Sequence, residues 1–364
     1  MRELFDEALA PRTTFGLGGR ARRLLELEHE HEVASAVREL RRARTPWVVL
    51  GGGSNVLVAD EGFAGCVVQP LLRGIARRAA SGEPESVEIW AAAGEPWSAL
   101  VADCVAEGLA GLECLGGIPG WVGATPIQNV GAYGQQVSDT LTRIRVYDAA
   151  TDCIDELPAS ACALRYRHSL FKDAAPGRYV ILGVGFRLSR KTAARPTHGE
   201  LRARLEAAGE ATPTPRVIHE AVLSLRRAKG MVLDAHDPET RSAGSFFLNP
   251  QLPAAEAEAV LQRAAAEDPR VGRPTLPHQR LDDGRIKLAA AWLIEQAGFG
   301  KGFGGTAVGV SRKHALAIVH RGGGSARAVL ELATQIRRGV HARFGVWLDP
   351  EPLLLGFGEH PWVV

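Results

Sequence analysis

Apolar positions recur along the first part of the chain at two different spacings. Residues 22–28 and Trp47-Val48-Val49-Leu50 read as strands, and between them Val33, Ala36, Val37 and Leu40 repeat at helical spacing. A further strand is expected over 86–93. After it, Trp97, Leu100, Val101, Cys104 and Val105 put one apolar stripe on a helix that Pro96 can open. This start is compatible with α/β or α+β. Between Thr142 and Leu188 the signals turn to strands, at 144–147 and 179–188, and predict a second, β-rich lobe. Residues 190–215 are rich in Pro, Thr, Arg and Glu and read as a boundary or a connection. From Arg216 on, helices are expected over 217–229, 253–267, 287–297 and 325–343, with a strand-like stretch at 315–319. In the last helix Val329, Leu332, Ala333, Ile336 and Val340 keep one face, and Ser325 is placed to cap it.

Composition narrows the function classes. Of 364 residues, 46% are apolar and 23% charged, enough for two or three cores. Lys and Arg total 43 against 41 Asp and Glu, so there is no global field to draw in nucleic acid or an anionic membrane, and an anionic ligand must be held locally. The early acids Glu3, Asp6 and Glu7 argue against a secretory signal, and no apolar run is long enough to span a bilayer, so a cytoplasmic protein is expected. Cys66, Cys104, Cys114, Cys153 and Cys162 are odd in number and form no CxxC pair, which argues against a disulfide framework or a zinc site. No metal is expected.

Two glycine-rich segments carry candidate chemistry. The strand ending at Leu50 runs into Gly51-Gly52-Gly53 and then Ser54 and Asn55. Glycines let backbone N–H groups surround a phosphate, and Ser54 and Asn55 can add donors. Read alone, the loop serves equally well as a tight turn. The second segment, Gly116-Gly117-Ile118-Pro119-Gly120-Trp121-Val122-Gly123, continues into Ile127-Gln128-Asn129-Val130-Gly131-Ala132-Tyr133-Gly134. So much glycine among amide side chains suits backbone laid along a flat polar ligand such as an isoalloxazine ring. Neither loop carries the GxGxxG of a Rossmann fingerprint and no GxxxxGK[ST] occurs, so the usual NAD and ATP cradles are not supported.

These blocks, together with Thr13-Thr14-Phe15-Gly16-Leu17-Gly18-Gly19, resemble the UDP-N-acetylenolpyruvoylglucosamine reductases. The likeness continues through Leu164-Arg165-Tyr166-Arg167-His168-Ser169-Leu170-Phe171-Lys172, Ala243-Gly244-Ser245-Phe246-Phe247-Leu248-Asn249-Pro250 and Phe344-Gly345-Val346-Trp347-Leu348-Asp349-Pro350-Glu351, in the family's order. The resemblance implies a three-lobed α+β protein. Lobes 1–72 and 73–215 would form a vanillyl-alcohol-oxidase/PCMH-type FAD-binding domain. Residues 216–345 would form an α+β substrate-binding domain, and 346–364, carrying Glu351, would return to the FAD-binding part. It implies NADPH-dependent, FAD-mediated reduction of an enolpyruvyl UDP-sugar, UDP-N-acetyl-3-O-(1-carboxyvinyl)-glucosamine, to UDP-N-acetylmuramate for peptidoglycan synthesis, by a monomer that binds neither nucleic acid nor membrane.

Such a reduction adds hydride to one alkene carbon and a proton to the other, through an intermediate whose charge spreads onto the substrate carboxylate. By resemblance, Ser245 is the proton donor, and Arg167 and Glu351 stabilise the intermediate. Taken singly, these residues read as a turn hydroxyl, an ion-paired arginine and a solvated carboxylate. FAD is expected to be held by Gly51, Gly52, Gly53, Ser54 and Asn55 in the first loop. Gly117, Ile118, Pro119, Gly120, Gly123, Gln128, Asn129, Gly131, Ala132 and Tyr133 would hold it in the second. It is expected to be releasable, because only Cys114 offers a covalent tether near these loops. Substrate is expected at Tyr166, Arg226, Lys229, Asn249, Lys287 and Gln296, with Lys229 on a phosphate; Lys287 reads equally as an exposed lysine at a helix start. One subclass of the family covers substrate with a loop tyrosine, and His198 stands at the similar place here. The competing readings are another flavin oxidoreductase of the same fold acting on a small alcohol or sugar, and a flavin- or nucleotide-binding module without catalysis.

Overall fold

The stripe Val33, Ala36, Val37 and Leu40 is the buried face of the helix Glu30–Arg42, whose first turn is tied down by Glu32 accepting from the backbone N–H groups of Glu28 and His29. The helix lies on a four-stranded sheet ordered Arg2–Ala8, Arg20–Leu27, Phe63–Pro70, Trp47–Val49. Its last two pairings are parallel. The computed structural model describes residues 1–80, 82–173, 177–191, 196–266 and 275–358. They form an α+β protein with two compact units: the first is Met1–Ala8, Arg20–Gly53 and Phe63–Val232, the second Leu9–Gly19, Ser54–Gly62 and the chain from Leu233 on.

The rest of the first unit is built on a five-stranded antiparallel sheet, in the order Cys153–Pro158, Leu141–Asp148, Tyr179–Ser189, Glu83–Ala92, Ile75–Ala80. One face is covered by the helix Trp97–Ala106, with Pro96 as its N-cap, and Trp97 packs its fully buried ring against Phe186 at 5.8 Å. Burying such side chains away from water is the main source of stability for this layer. The boundary expected at 215/216 falls at the start of the helix Pro215–Ala228. That helix buries Ile218 and Val222 against Leu201 and Leu205 of Gly199–Ala207, both inside the first unit. The stretch expected as a connection therefore contains a packed helix; residues 192–195 of it lie outside the described residues.

In the second unit the helix Ala326–Phe344 buries Val329, Leu332, Ala333, Ile336 and Val340, as their spacing predicts, and packs on the hairpin Val308–Val310 and Ile318–His320. Ser325 Oγ accepts from the Ala328 N–H at 3.1 Å, and the Asp60 carboxylate accepts from Ala326 and Arg327 at 2.8 and 2.9 Å, so both cap the positive end of the helix. The helix Ala254–Ala266 matches the expectation over 253–267, of which Glu267 lies outside the described residues. Residues 287–297 do not form one helix. Ile286–Leu288 is the middle strand of a three-stranded sheet with Gln251–Leu252 and His278–Arg280, and the helix begins at Ala290. Ile286 and Leu288 point inward and Lys287 outward, a period of two too short to stand out from the helical pattern that follows.

The Thr13 to Gly19 block is a brace of the second unit. Thr14 Oγ1 donates to the Ser242 carbonyl at 2.6 Å, and a Cβ on Gly19 would lie 2.3 Å from the Asp60 carbonyl oxygen. Deeper in this unit the buried Glu239 carboxylate accepts from Arg321 Nε at 2.6 Å, and from Ser311 Oγ and the Arg312 N–H at 2.8 Å. Burial pushes the Glu239 carboxyl up, but these hydrogen bonds outweigh it and hold the group below its ordinary value. Replacing one member of such a pair leaves the other charge buried without compensation. Arg321→Met is expected to destabilise the second unit by about 3–5 kcal/mol, read as a lower denaturant midpoint; an unchanged midpoint rejects the pair as a structural anchor.

Candidate active site

The two glycine loops meet in the first unit. A Cβ on Gly52 would lie 2.8 Å from Gly120 Cα and 3.2 Å from Trp121 Cδ1, closer than non-bonded carbons come. Gly51 is fixed on the other side, where the buried Gln69 donates to its carbonyl at 3.2 Å. Gly53 has φ +62° and Gly120 φ +115°, conformations that glycine adopts without strain. The first loop is thus more than a turn, because its glycines admit a second backbone.

Behind the second loop, His219 packs its ring where a Cβ on Gly116 would sit, 2.3 Å from Cε1. Gly117 closes on Leu223 and Val232 and gives its carbonyl to Arg226 Nη2 at 3.5 Å; Arg226 Nη2 also donates to the Met231 carbonyl at 2.8 Å. Arg226 has no carboxylate partner among the described residues and its buried Nε has no hydrogen bond, so burial pulls its pKa down to about 10. A buried cation without an anion, beside backbone stripped of Cβ atoms, fits an anionic dinucleotide such as FAD. Gln128, half-buried, has no hydrogen bond to its amide among the described residues and keeps it available. Cys114 is buried, and burial pushes its thiol up to about 12, so the thiolate needed for a covalent tether does not form near neutral pH.

Asn129 departs from expectation. It is 1% exposed, its Nδ2 donates to Gln136 Oε1, Ser138 Oγ and the Arg165 carbonyl, and its Oδ1 accepts from the Ser138 N–H. Its amide therefore shapes the loop and is not presented to a ligand. The same loop receives the Tyr166-Arg167 turn. Arg165 and His168 exchange backbone hydrogen bonds at 3.1 Å, and the fully buried Ser169 donates to the Ile127 carbonyl at 2.6 Å. Arg167, at φ +51°, donates from Nη2 to the Gly131 carbonyl at 2.8 Å and lies 5.4 Å from the Tyr166 ring. The structure so gathers Arg167, Tyr166 and the Gly131 to Tyr133 segment. Lys229 sits 5.7 Å over the Tyr133 ring and is ion-paired with Glu200; His198 meets the other side of this cluster, edge-on to Tyr133 at 5.0 Å.

Ser245 and Glu351 come together in the second unit. Phe247 bridges Pro350, the Leu248 N–H donates to the Asp349 carbonyl at 2.9 Å, and the Glu351 N–H donates to the Phe246 carbonyl at 2.9 Å. Two blocks far apart in sequence are thereby zipped into one short ladder. Ser245 is half-buried, and its hydroxyl has no hydrogen bond among the described residues. Asn249 accepts from the Ala290 N–H at 2.9 Å, which caps the helix Ala290–Gln296 and leaves its amide nitrogen for a ligand. Gln296 ends that helix, with its carbonyl bonded to Arg343, and Lys287 faces outward from the middle strand. Asn55 is the second departure: its Nδ2 donates to the Glu351 carbonyl at 3.2 Å, so its donor is not directed at a phosphate. These amide and hydroxyl contacts to backbone were not legible in the sequence, since a carbonyl carries no signature in its residue type.

A family model described as FAD binding domain matches residues 21–155 and makes this an FAD-binding protein, which the glycine loops and Arg226 fit. A second, described as UDP-N-acetylenolpyruvoylglucosamine reductase, C-terminal domain, matches 237–355. The chain is 47% identical to the UDP-N-acetylenolpyruvoylglucosamine reductase of Thermobifida fusca over 96% of each chain. It is 41% identical to that of Mycobacterium leprae, over 96% of this chain and 94% of that one. The crystal structure of the Thermus caldophilus reductase superposes with a TM-score of 0.61 at 23% identity, covering 97% of this chain and 98% of that one, and shows the same fold. The chain belongs to the UDP-N-acetylenolpyruvoylglucosamine reductase family.

Two outcomes follow from this geometry. Gly52→Ala should fold but lose FAD, read as the flavin absorbance of the purified protein; retention of full absorbance would show that the loops need not touch. Burial pulls the His219 pKa below its ordinary value, the Glu113 backbone opposing, and its Nδ1 has no hydrogen-bond partner among the described residues. A base held neutral in the fold takes up its proton on unfolding, so this contribution to stability is complete above about pH 6.5 and lost as pH falls below it. His219→Met should flatten that acid slope of the denaturant midpoint; an identical slope rejects the assignment.

Proposed function

We propose that this chain reduces UDP-N-acetyl-3-O-(1-carboxyvinyl)-glucosamine to UDP-N-acetylmuramate, with Ser245 giving the proton that completes the saturation. The observation that carries the reading is a serine hydroxyl without a hydrogen-bond partner among the described residues, on a backbone ladder with Glu351, in the region matched by the reductase C-terminal model. FAD, when bound, supplies the hydride, and NADPH restores it. The first unit holds the cofactor through Gly51, Gly52, Gly53, Gly117, Ile118, Pro119, Gly120, Gly123, Gln128, Gly131, Ala132 and Tyr133. Asn129 sets the loop's shape from behind. Ser54 adds a hydroxyl.

The remaining roles follow from what each side chain has left to give. Arg167 is held by carbonyl groups through Nη1 and Nη2, which fixes a cation where charge develops on the substrate carboxylate. Glu351, half-buried, is the second group that would stabilise the intermediate. A serine hydroxyl is a weak acid, so its proton moves only to a carbon that has become strongly basic. Lys229 takes a substrate phosphate in exchange for Glu200, and His198 covers the nucleotide from its perch on Tyr133. Tyr166, Asn249, Lys287 and Gln296 complete the substrate contacts, while Arg226 serves the cofactor loop. We take the enzyme to act in the cytoplasm, as a monomer that supplies peptidoglycan precursors. An oxidase of small alcohols is not favoured, because it has no use for the Ser245 and Glu351 ladder.

Stopped-flow absorbance tests this directly: NADPH should bleach the flavin and the enolpyruvyl nucleotide should restore it. Ser245→Ala should keep FAD and the bleaching step but lose turnover by about 10²–10⁴-fold; turnover near the parental rate would remove Ser245 from the reaction.

A further inference from the structure

The Glu351 backbone is held from both sides. Its N–H donates to the Phe246 carbonyl at 2.9 Å, within the ladder that joins it to the Ser245 block. Its carbonyl accepts from Asn55 Nδ2 at 3.2 Å, across 296 residues of sequence. Asn55 is itself anchored by backbone: its own carbonyl accepts from the Leu353 N–H at 3.0 Å, at the mouth of the parallel pairing of Val56–Val58 with Leu353–Leu355. Because the partner is a carbonyl oxygen, the amide nitrogen and not the amide oxygen must face Glu351. A carboxylate side chain at position 55 would set an acceptor against an acceptor.

We propose that Asn55 is a positioning residue for Glu351, setting where its carboxylate stands relative to the Ser245 block, and that its donor is not a cofactor ligand. The inference rests on the reading of Glu351 as a group that acts on the substrate. Two donor–acceptor contacts, one on each side of a single residue, fix the peptide planes on both sides of its Cα and so the direction of its Cα–Cβ bond. Without the second, the planes between Glu351 and Leu353 can tilt, and a displacement of about 1 Å at a reacting group costs on the order of 100-fold in rate. Reduction of the flavin by NADPH does not involve Glu351 and is untouched by that tilt.

The test uses the full FAD-loaded chain and follows the two half-reactions separately in Asn55→Ala, Asn55→Asp, Glu351→Gln and the Asn55→Ala/Glu351→Gln double variant. Flavin content, thermal midpoint and bleaching by NADPH should match the parent in both Asn55 variants. Reoxidation by the enolpyruvyl nucleotide should slow about 10- to 100-fold, in the maximal rate and not in the half-saturating concentration. Asn55→Asp, which keeps the shape and loses the donor, should be no faster than Asn55→Ala. In the Glu351→Gln background, removing Asn55 should add little, since the group it positions is already disabled. Loss of FAD from Asn55→Asp, parental reoxidation in either single variant, or a penalty that multiplies in full on top of Glu351→Gln would each overturn the proposal. Parental reoxidation in Glu351→Gln would overturn the reading of Glu351 itself and the proposal with it, and is told apart from the other failures by that one variant.

Discussion

At Gly52 and Gly120 two stretches of backbone approach so closely that a single methyl group on the first would meet the main chain of the second. Everything assigned to the cofactor depends on that approach. Backbone N–H groups reach a ligand only when side chains are out of the way, and here the absence of Cβ atoms also lets the loops pack on each other. The packing is enforced from behind by buried groups: Gln69 on Gly51, His219 on Gly116, and Asn129 and Ser169 on the turn that carries Arg167. A cradle made in this way is held because its supports are buried and, His219 apart, hydrogen-bonded, and a fixed frame lets neutral backbone dipoles face a charged ligand without reorganising.

The second unit solves a different problem. The hydroxyl of Ser245, the proposed proton donor, has no hydrogen bond among the described residues, so its position is not set through the hydroxyl itself. The ladder between Phe246 to Leu248 and Asp349 to Glu351 sets it through backbone instead, and the fully buried rings of Phe246 and Phe247, packed edge to face at 5.2 Å, keep that ladder on the core. Lys229 shows a third arrangement, a cation kept in place by an exchangeable carboxylate. The partly exposed pair with Glu200 contributes little stability, which suits the exchange for a phosphate proposed above.

Much of this was legible in the chain. The faces of the helices Glu30–Arg42, Trp97–Ala106 and Ala326–Phe344 appeared as spacing, because helical periodicity is local. The glycine loops stood out for the same reason. Long-range pairing did not: Phe63–Pro70 lies between two parallel partners, is buried almost throughout and so lacks the alternation that marks a strand. Lys287 reads as a helix start because only Ala289 separates its three-residue strand from the true helix. At the site, residue types pointed to Arg167, Ser245 and Glu351 through resemblance, whereas the bonds that orient them run from Asn55, Ser169 and Arg167 to carbonyl oxygens, which every residue possesses.

The second unit draws Leu9–Gly19 and Ser54–Gly62 out of the amino-terminal part of the chain, and Phe15, Leu17 and Leu57 are buried in its core. A ribosome delivers those three side chains long before Phe246, Ile336 or Leu348 exists to receive them. During synthesis they precede their packing partners, and the strand Val56–Val58 gains its partner Leu353–Leu355 only once that distant segment has been made. Vectorial synthesis therefore leaves open, until that segment arrives, the same stitch that holds the Glu351 backbone.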